Sequence, residues 1–146
     1  DNLTIYAAGS FNDTELTRVD PAFALVVQDE GRELPLTPES QYTIRGKYEW
    51  ETAEGNMYYQ LGMKHASKSL NSIVDTTDEP NTYQKAYTVL DTSFGMKNIK
   101  DNWGMEFYIK NLTDERAQLH INRQDFFERV TTNRPRTLGV RVSYDF

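Results

Sequence analysis

Residues 137–146 read TLGVRVSYDF. Leu138, Val140, Val142, Tyr144 and Phe146 are apolar, and Gly139, Arg141, Ser143 and Asp145 between them are small or charged. A strict period of two marks a β-strand with one apolar and one polar face. Two environments ask for such a strand. In a soluble sandwich the apolar face packs on a core and the polar face meets water. In a transmembrane barrel the apolar face meets lipid and the polar face a wet lumen. Either way Val142 and Ser143, neighbours in sequence, face opposite surroundings, and the rest of the chain has to decide between the two.

Working back from the last strand, five more segments alternate in the same way. Residues 102–110 set Trp103, Met105, Phe107 and Ile109 against Glu106, Tyr108 and Lys110. Residues 87–97 set Leu90, Phe94 and Met96 against Asp91, Ser93 and Gly95. Residues 56–65 set Met57, Tyr59, Leu61 and Met63 against Tyr58, Gln60, Gly62 and Lys64. Residues 42–50 set Tyr42, Ile44, Gly46, Tyr48 and Trp50 against Thr43, Arg45, Lys47 and Glu49, and residues 3–11 carry Leu3, Ile5, Ala7, Gly9 and Phe11 on one face. No segment repeats apolar residues at helical spacing, so little helix is predicted. Tilted strands of about ten residues cover roughly 25 Å, the height of an outer-membrane apolar band, whereas strands in globular proteins usually run to about five or six.

The connections sort by length. Residues 51–55 and 98–101 make tight turns, whereas residues 12–41, 66–86 and 111–136 are long loops. Short turns on one rim and long loops on the other is the transmembrane-barrel arrangement. The predicted inner faces carry Arg45, Lys47, Lys64, Lys110 and Arg141 against Glu49, Asp91, Glu106 and Asp145, and the outer faces carry no charge. Trp50 and Trp103 fall beside the short turns and Phe146 ends on the same rim, which makes half of an aromatic girdle.

Composition agrees. The chain has 146 residues, one domain's worth, with no cysteine and a net charge of −6 that disfavours nucleic acid as a partner. It is polar on average yet rich in Tyr, Phe and Trp, as expected where polar residues line a lumen. No apolar run is long enough for a membrane-spanning helix, and no signal peptide is visible after Asp1.

Residues 111–146 resemble the C-terminal end of TonB-dependent outer-membrane receptors. The carriers are Asn111-Leu112-Thr113-Asp114-Glu115, Arg134-Pro135-Arg136-Thr137-Leu138-Gly139 and the terminal Phe146; Leu34-Pro35, Ala86-Tyr87-Thr88 and Leu90-Asp91 fit more loosely. The resemblance implies an all-β, antiparallel up-and-down meander: about six strands of a larger barrel of about 22, with long extracellular loops. It makes residues 1–146 one C-terminal portion of such a barrel, without the plug domain. The implied role is part of an active-transport receptor in the bacterial outer membrane that imports a scarce nutrient (an iron chelate, cobalamin or a glycan). The implied partners are outer-membrane lipid, the remainder of the barrel and its plug, the TonB complex, the barrel-assembly machinery and a small nutrient ligand. Tyr144 and Phe146 are then the assembly signal. A complete small outer-membrane or soluble β-barrel, acting as a ligand-binding or adhesion module, is the alternative; six strands count against it because membrane barrels start at about eight.

Candidate residues follow from this arrangement. Arg45, Lys47, Glu49, Lys64, Asp91, Glu106, Lys110 and Arg141 are expected to face the lumen. Arg123, Asp125, Phe126, Phe127 and Arg129 in the last loop are candidates to face a ligand, weighed against a plain solvated hairpin tip around Glu128. His65 and His120 lack the tight spacing of a metal site, so no metal or cofactor is expected. Asp91 and Glu106, set among Arg and Lys, read as ion-pair partners rather than an acid–base couple. With no nucleophile motif present, an enzyme is not expected.

Overall fold

The computed structural model describes residues 2–22, 31–73, 82–98, 100, 102–122 and 127–145. Every described element is a strand: β1 (Leu3–Phe11), β2 (Ser40–Thr52), β3 (Gly55–Ala66), β4 (Ser69–Leu70), β5 (Tyr83–Gln84), β6 (Tyr87–Lys97), β7 (Trp103–Lys110), β8 (Gln118–Asn122), β9 (Arg129–Thr132) and β10 (Thr137–Tyr144). A six-stranded antiparallel sheet runs β1-β2-β3-β6-β7-β10, so each long strand pairs with the next long strand in the chain. The six alternating segments are these six strands. Two further ribbons, β4 with β5 and β8 with β9, lie inside the long connections, where periodicity predicts no strand. They are too short and too mixed in polarity to carry a period of two.

Register keeps the two faces apart across the whole sheet. On one face Ile5 pairs Gly46, Ile44 pairs Met63, Tyr59 pairs Phe94, Phe94 pairs Phe107 and Phe107 pairs Val140. On the other Tyr6 pairs Arg45, Glu49 pairs Tyr58, Gly62 pairs Asp91, Gly95 pairs Glu106 and Glu106 pairs Arg141. A slip of one residue in any pair would turn charges onto the apolar face.

The burial is inverted relative to a water-soluble domain. Ile5 is 67% exposed, Leu138 72% and Val142 70%, all on the apolar face. The buried apolar residues, Ala66, Leu70, Ala117 and Ile121, lie instead at or beyond the loop ends of the strands. The sheet stays open among the described residues: β1 pairs only with β2, and β10 only with β7.

Candidate functional site

The polar face is the concave one. A single hollow of about 840 Å³ touches all six strands of the sheet, through Ser10, Thr43, Lys64, Asp91, Lys110 and Arg141. Only a sheet curled toward its polar face brings β1 and β10 to one hollow. Leu119 and residues 133–135 of the last loop close its upper end.

All eight residues expected to face a lumen, Arg45, Lys47, Glu49, Lys64, Asp91, Glu106, Lys110 and Arg141, lie on this face. Glu51, in register with Asn56, joins them, and so does Lys97, opposite Asn56 and Gly104. Lys97 sits at the last position of its strand, where the alternation gives way to the turn, and was not expected there. Ion pairs run along the wall: Lys47 Nζ to Glu49 Oε1 at 2.7 Å, Arg141 Nη1 to Glu106 Oε2 at 2.7 Å, Lys110 Nζ to Asp91 Oδ2 at 3.5 Å and Lys97 Nζ to Asp145 Oδ2 at 3.5 Å. Exposed pairs of this kind contribute about 0–1 kcal/mol each, so their consequence is charge cancellation more than stability. Asp91 is held further, its Oδ1 accepting the Asn111 N–H at 2.9 Å.

Two tyrosines knit the pairs into a belt. Lys47 Nζ stands 4.8 Å from the Tyr58 ring centre, the Tyr58 hydroxyl lies within hydrogen-bonding reach of Glu106, and the Arg141 guanidinium stands 5.9 Å from the Tyr108 ring centre. Each ring lies flat over a glycine on the next strand. A Cβ on Gly95 would sit 2.5 Å from the Tyr58 ring, and one on Gly139 would run into the Tyr108 ring. Ring and glycine are directly opposed in both pairs, so the ring covers the gap that the missing side chain leaves.

Above the hollow the long loops are tied together. Asn71 Nδ2 donates to the Ile121 carbonyl at 2.6 Å, and Asn71 Oδ1 accepts the Ile121 N–H at 2.8 Å. The Asn71 amide thus stands in for a strand neighbour of Ile121, which lies fifty residues along the chain. Gln84 Nε2 donates to the Leu119 carbonyl at 2.8 Å, and the Ser69 hydroxyl donates to Gln84 Oε1 at 3.2 Å. The first loop joins through the Leu36 N–H, which donates to the Leu70 carbonyl at 2.8 Å, and through Tyr83, whose hydrogen bond to Glu33 holds its hydroxyl above the ordinary tyrosine pKa. Leu70 and Ile121 are buried between these bonds.

Asn111-Leu112-Thr113-Asp114-Glu115 forms the hinge between β7 and the last loop. Asn111 takes a left-handed backbone (φ 54°), and its side chain donates to the carbonyls of Glu115 at 3.0 Å and Arg134 at 2.9 Å while accepting the Glu115 N–H at 2.8 Å. Asp114 Oδ1 accepts the Arg136 N–H at 2.8 Å; that bond, reinforced by the Arg116 and Arg136 charges, lowers its pKa. The two motif stretches, 111–115 and 134–139, therefore act as one clasp at the entrance to β10.

Of the residues expected to face a ligand, Arg123, Asp125 and Phe126 lie outside the described residues, as does Phe146. Phe127 is 75% exposed and Arg129 opens β9. His65 is at the loop end of the apolar face, stacked on Tyr42 with ring centres 4.8 Å apart and sharing a hydrogen bond with Thr88 at 2.9 Å; His120 lies in β8. Among the described residues no cluster of His, Asp and Glu could hold a metal ion. Tyr144 pairs with Trp103 at the short-turn rim, where Tyr48, Trp50 and Phe94 also gather.

Solved structures share this architecture. The ferric preacinetobactin receptor BauA of Acinetobacter baumannii aligns with all of this chain and 20% of its own, at 18% identity and a TM-score of 0.74. The siderophore receptor PiuA of the same organism aligns with 97% of this chain and 19% of its own, at 18% identity and 0.73. The ferric yersiniabactin uptake receptor FyuA of Yersinia pestis aligns with 80% of this chain and 18% of its own, at 20% identity and 0.69. The chain has the fold of a receptor-barrel segment. It spans about a fifth of the length of the receptors it matches. No family model matches the sequence, and no curated protein does. The structural neighbours are transport receptors rather than enzymes.

Proposed function

We propose that this chain is the C-terminal wall segment of a TonB-dependent outer-membrane receptor that imports a small iron chelate. The observation that carries the reading is the inverted sheet. An uncharged apolar face stands exposed over six strands, while every charge of those strands falls on the concave side. Lipid is the surrounding that makes such a face stable, and a hydrated lumen suits the other. Loops tied together above the lumen suit a ligand-gathering surface outside the cell, and the names of the structural neighbours favour an iron chelate as the ligand. The lumen-facing charges, the loop residues Phe127 and Arg129, and Tyr144 near the assembly rim take the roles assigned to them from sequence. The rest of the barrel, a plug, and the TonB and barrel-assembly complexes act through the longer protein.

The test is made on the full-length protein. It is expected in the outer-membrane fraction as a heat-modifiable species, with ferric-chelate uptake that stops when inner-membrane energy is dissipated. Recovery of these strands in a water-soluble protein would overturn the reading.

A further inference from the structure

Charge on the concave wall does not cancel. Its strands and the residue after β10 carry six cations, Arg45, Lys47, Lys64, Lys97, Lys110 and Arg141, against five carboxylates, Glu49, Glu51, Asp91, Glu106 and Asp145. Four of the carboxylates are each taken by a cation: Glu49 by Lys47, Asp91 by Lys110, Glu106 by Arg141 and Asp145 by Lys97; Glu51 stands apart at the short-turn end of β2, six residues along the strand from Arg45. Arg45 and Lys64 are left, exposed and without an ion-pair partner among the described residues. In a chain of net charge −6, two cations left unpaired on one stretch of wall are a local feature.

The two are neighbours. Arg45 pairs with Gly62 and Thr43 with Lys64, so Arg45 and Lys64 sit diagonally across the β2–β3 ladder on one face. Gly62 leaves the wall bare beside Arg45; a Cβ there would meet nothing closer than 3.9 Å. Asp91, beyond Gly62 on β6, is the nearest carboxylate in register, but Asn111 N–H holds one of its oxygens and Lys110 faces the other. Lys64 lines the hollow beneath the loops, and Arg45 lies one diagonal step deeper along the wall.

We propose that Arg45 and Lys64 form an anion-holding pair on the concave wall, and that the transported chelate presents negatively charged oxygens to it. The proposal rests on the transport reading above and adds the charge of the ligand. A guanidinium and an ammonium on adjacent strands give a fork and a point charge to the same group. Their place below the loop cap puts them where a ligand entering from the loop side first meets the wall.

The experiment uses the full-length protein in detergent and two ferric probes of similar size, a multiply anionic tris-catecholate and a neutral tris-hydroxamate. Replacing both cations (R45Q with K64Q) should weaken tris-catecholate binding by about tenfold or more and flatten its salt dependence. Binding of the neutral probe should not change. The charge-keeping exchange, R45K with K64R, should retain most of the tris-catecholate affinity. Unchanged tris-catecholate affinity in R45Q/K64Q overturns the proposal and leaves the transport reading standing. If the thermal midpoint of that variant also drops, the cations were instead pairing carboxylates from the rest of the protein. Failure of the unsubstituted protein to bind either probe overturns both the iron-chelate reading and this proposal.

Discussion

An arginine placed at successive positions of β10 should report two different solvents and a depth. Val140 pairs with Phe107 and Val142 with Met105 on the apolar face, whereas Ser143 pairs with Gly104 on the concave face. Tyr144, opposite Trp103, marks the aromatic rim. A strand rises about 3.3 Å per residue, and a tilt near 45° reduces that to about 2.3 Å of height. Val142 then stands roughly 5 Å above the rim and Val140 roughly 9 Å, approaching the middle of a band about 25 Å tall. Arginine on the lipid face costs about 2–4 kcal/mol at the midplane and falls toward 0–1 at the interface. Val140→Arg should therefore cost about 2–4 kcal/mol, Val142→Arg about 1–2, and Ser143→Arg less than about 1, because its charge stays in water. The measurement is the urea dependence of folding of the full-length protein in phospholipid bilayers. The order Val140, then Val142, then Ser143 is what matters. Equal costs on both faces would mean that the apolar face packs against protein rather than lipid. A Ser143 cost above that of Val142 would mean that the face assignment is wrong.

Gly139→Ala should destabilise the full-length barrel by about 1–3 kcal/mol, since the new methyl group must displace the Tyr108 ring. In a Tyr108→Ser background most of that cost should vanish, which a double-mutant cycle in the same folding assay would read. Asn71→Ala should cost about 1–3 kcal/mol locally by stranding the Ile121 N–H and carbonyl in a buried site. Hydrogen exchange should then speed up together around residues 69–71 and 118–122 and leave β2 and β3 unchanged. Asp114 has its pKa held down by the Arg136 N–H, so its contribution to the clasp is present above the ordinary carboxylate pKa and is lost as pH falls through the lower folded value. Exchange of the Arg136 amide should accelerate in acid, and Asp114→Asn should remove that pH dependence.

The wall was legible because its code is local. Leu138, Val140, Val142 and Tyr144 alternate with small or charged residues, and that alone fixes which face each side chain takes once pairing is antiparallel. The eight charges expected on the concave side needed no further information. The loop cap follows no such code. Asn71 reaches Ile121 through a side-chain amide, and Gln84 reaches the Leu119 carbonyl; neither contact has a period or spacing to betray it. Ser69–Leu70 and Tyr83–Gln84 are strands of two residues, too short to alternate visibly. That Arg45 and Lys64 stay unpaired was hidden for another reason. The charges can be counted from sequence, but knowing which carboxylate each lysine or arginine takes requires the register of five neighbouring strand pairs, and Lys97 had to be placed on the wall first.

The location of the buried residues follows from the same physics. A sheet in water needs a second layer to cover its apolar face. Here the face from Ile5 through Ile44, Phe94 and Phe107 to Val142 has no protein layer over it among the described residues, and in the proposed setting lipid would serve as that layer. The loops have no such neighbour. In that setting they stand above the apolar band, in water, where Leu70 and Ile121 gain by burial against each other and the ends of the strands. A core that small cannot order three loops alone, because fixing each backbone residue costs about 1–2 kcal/mol. The side-chain amides of Asn71, Gln84 and Asn111 make up part of the difference by holding carbonyls and N–H groups that the short ribbons leave unpaired. On the proposed membrane reading, the order of the cap depends on protein contacts, and that of the wall strands on lipid. Detergent exchange or a change of lipid thickness should therefore alter the exposed wall strands well before it alters the bond between Asn71 and Ile121.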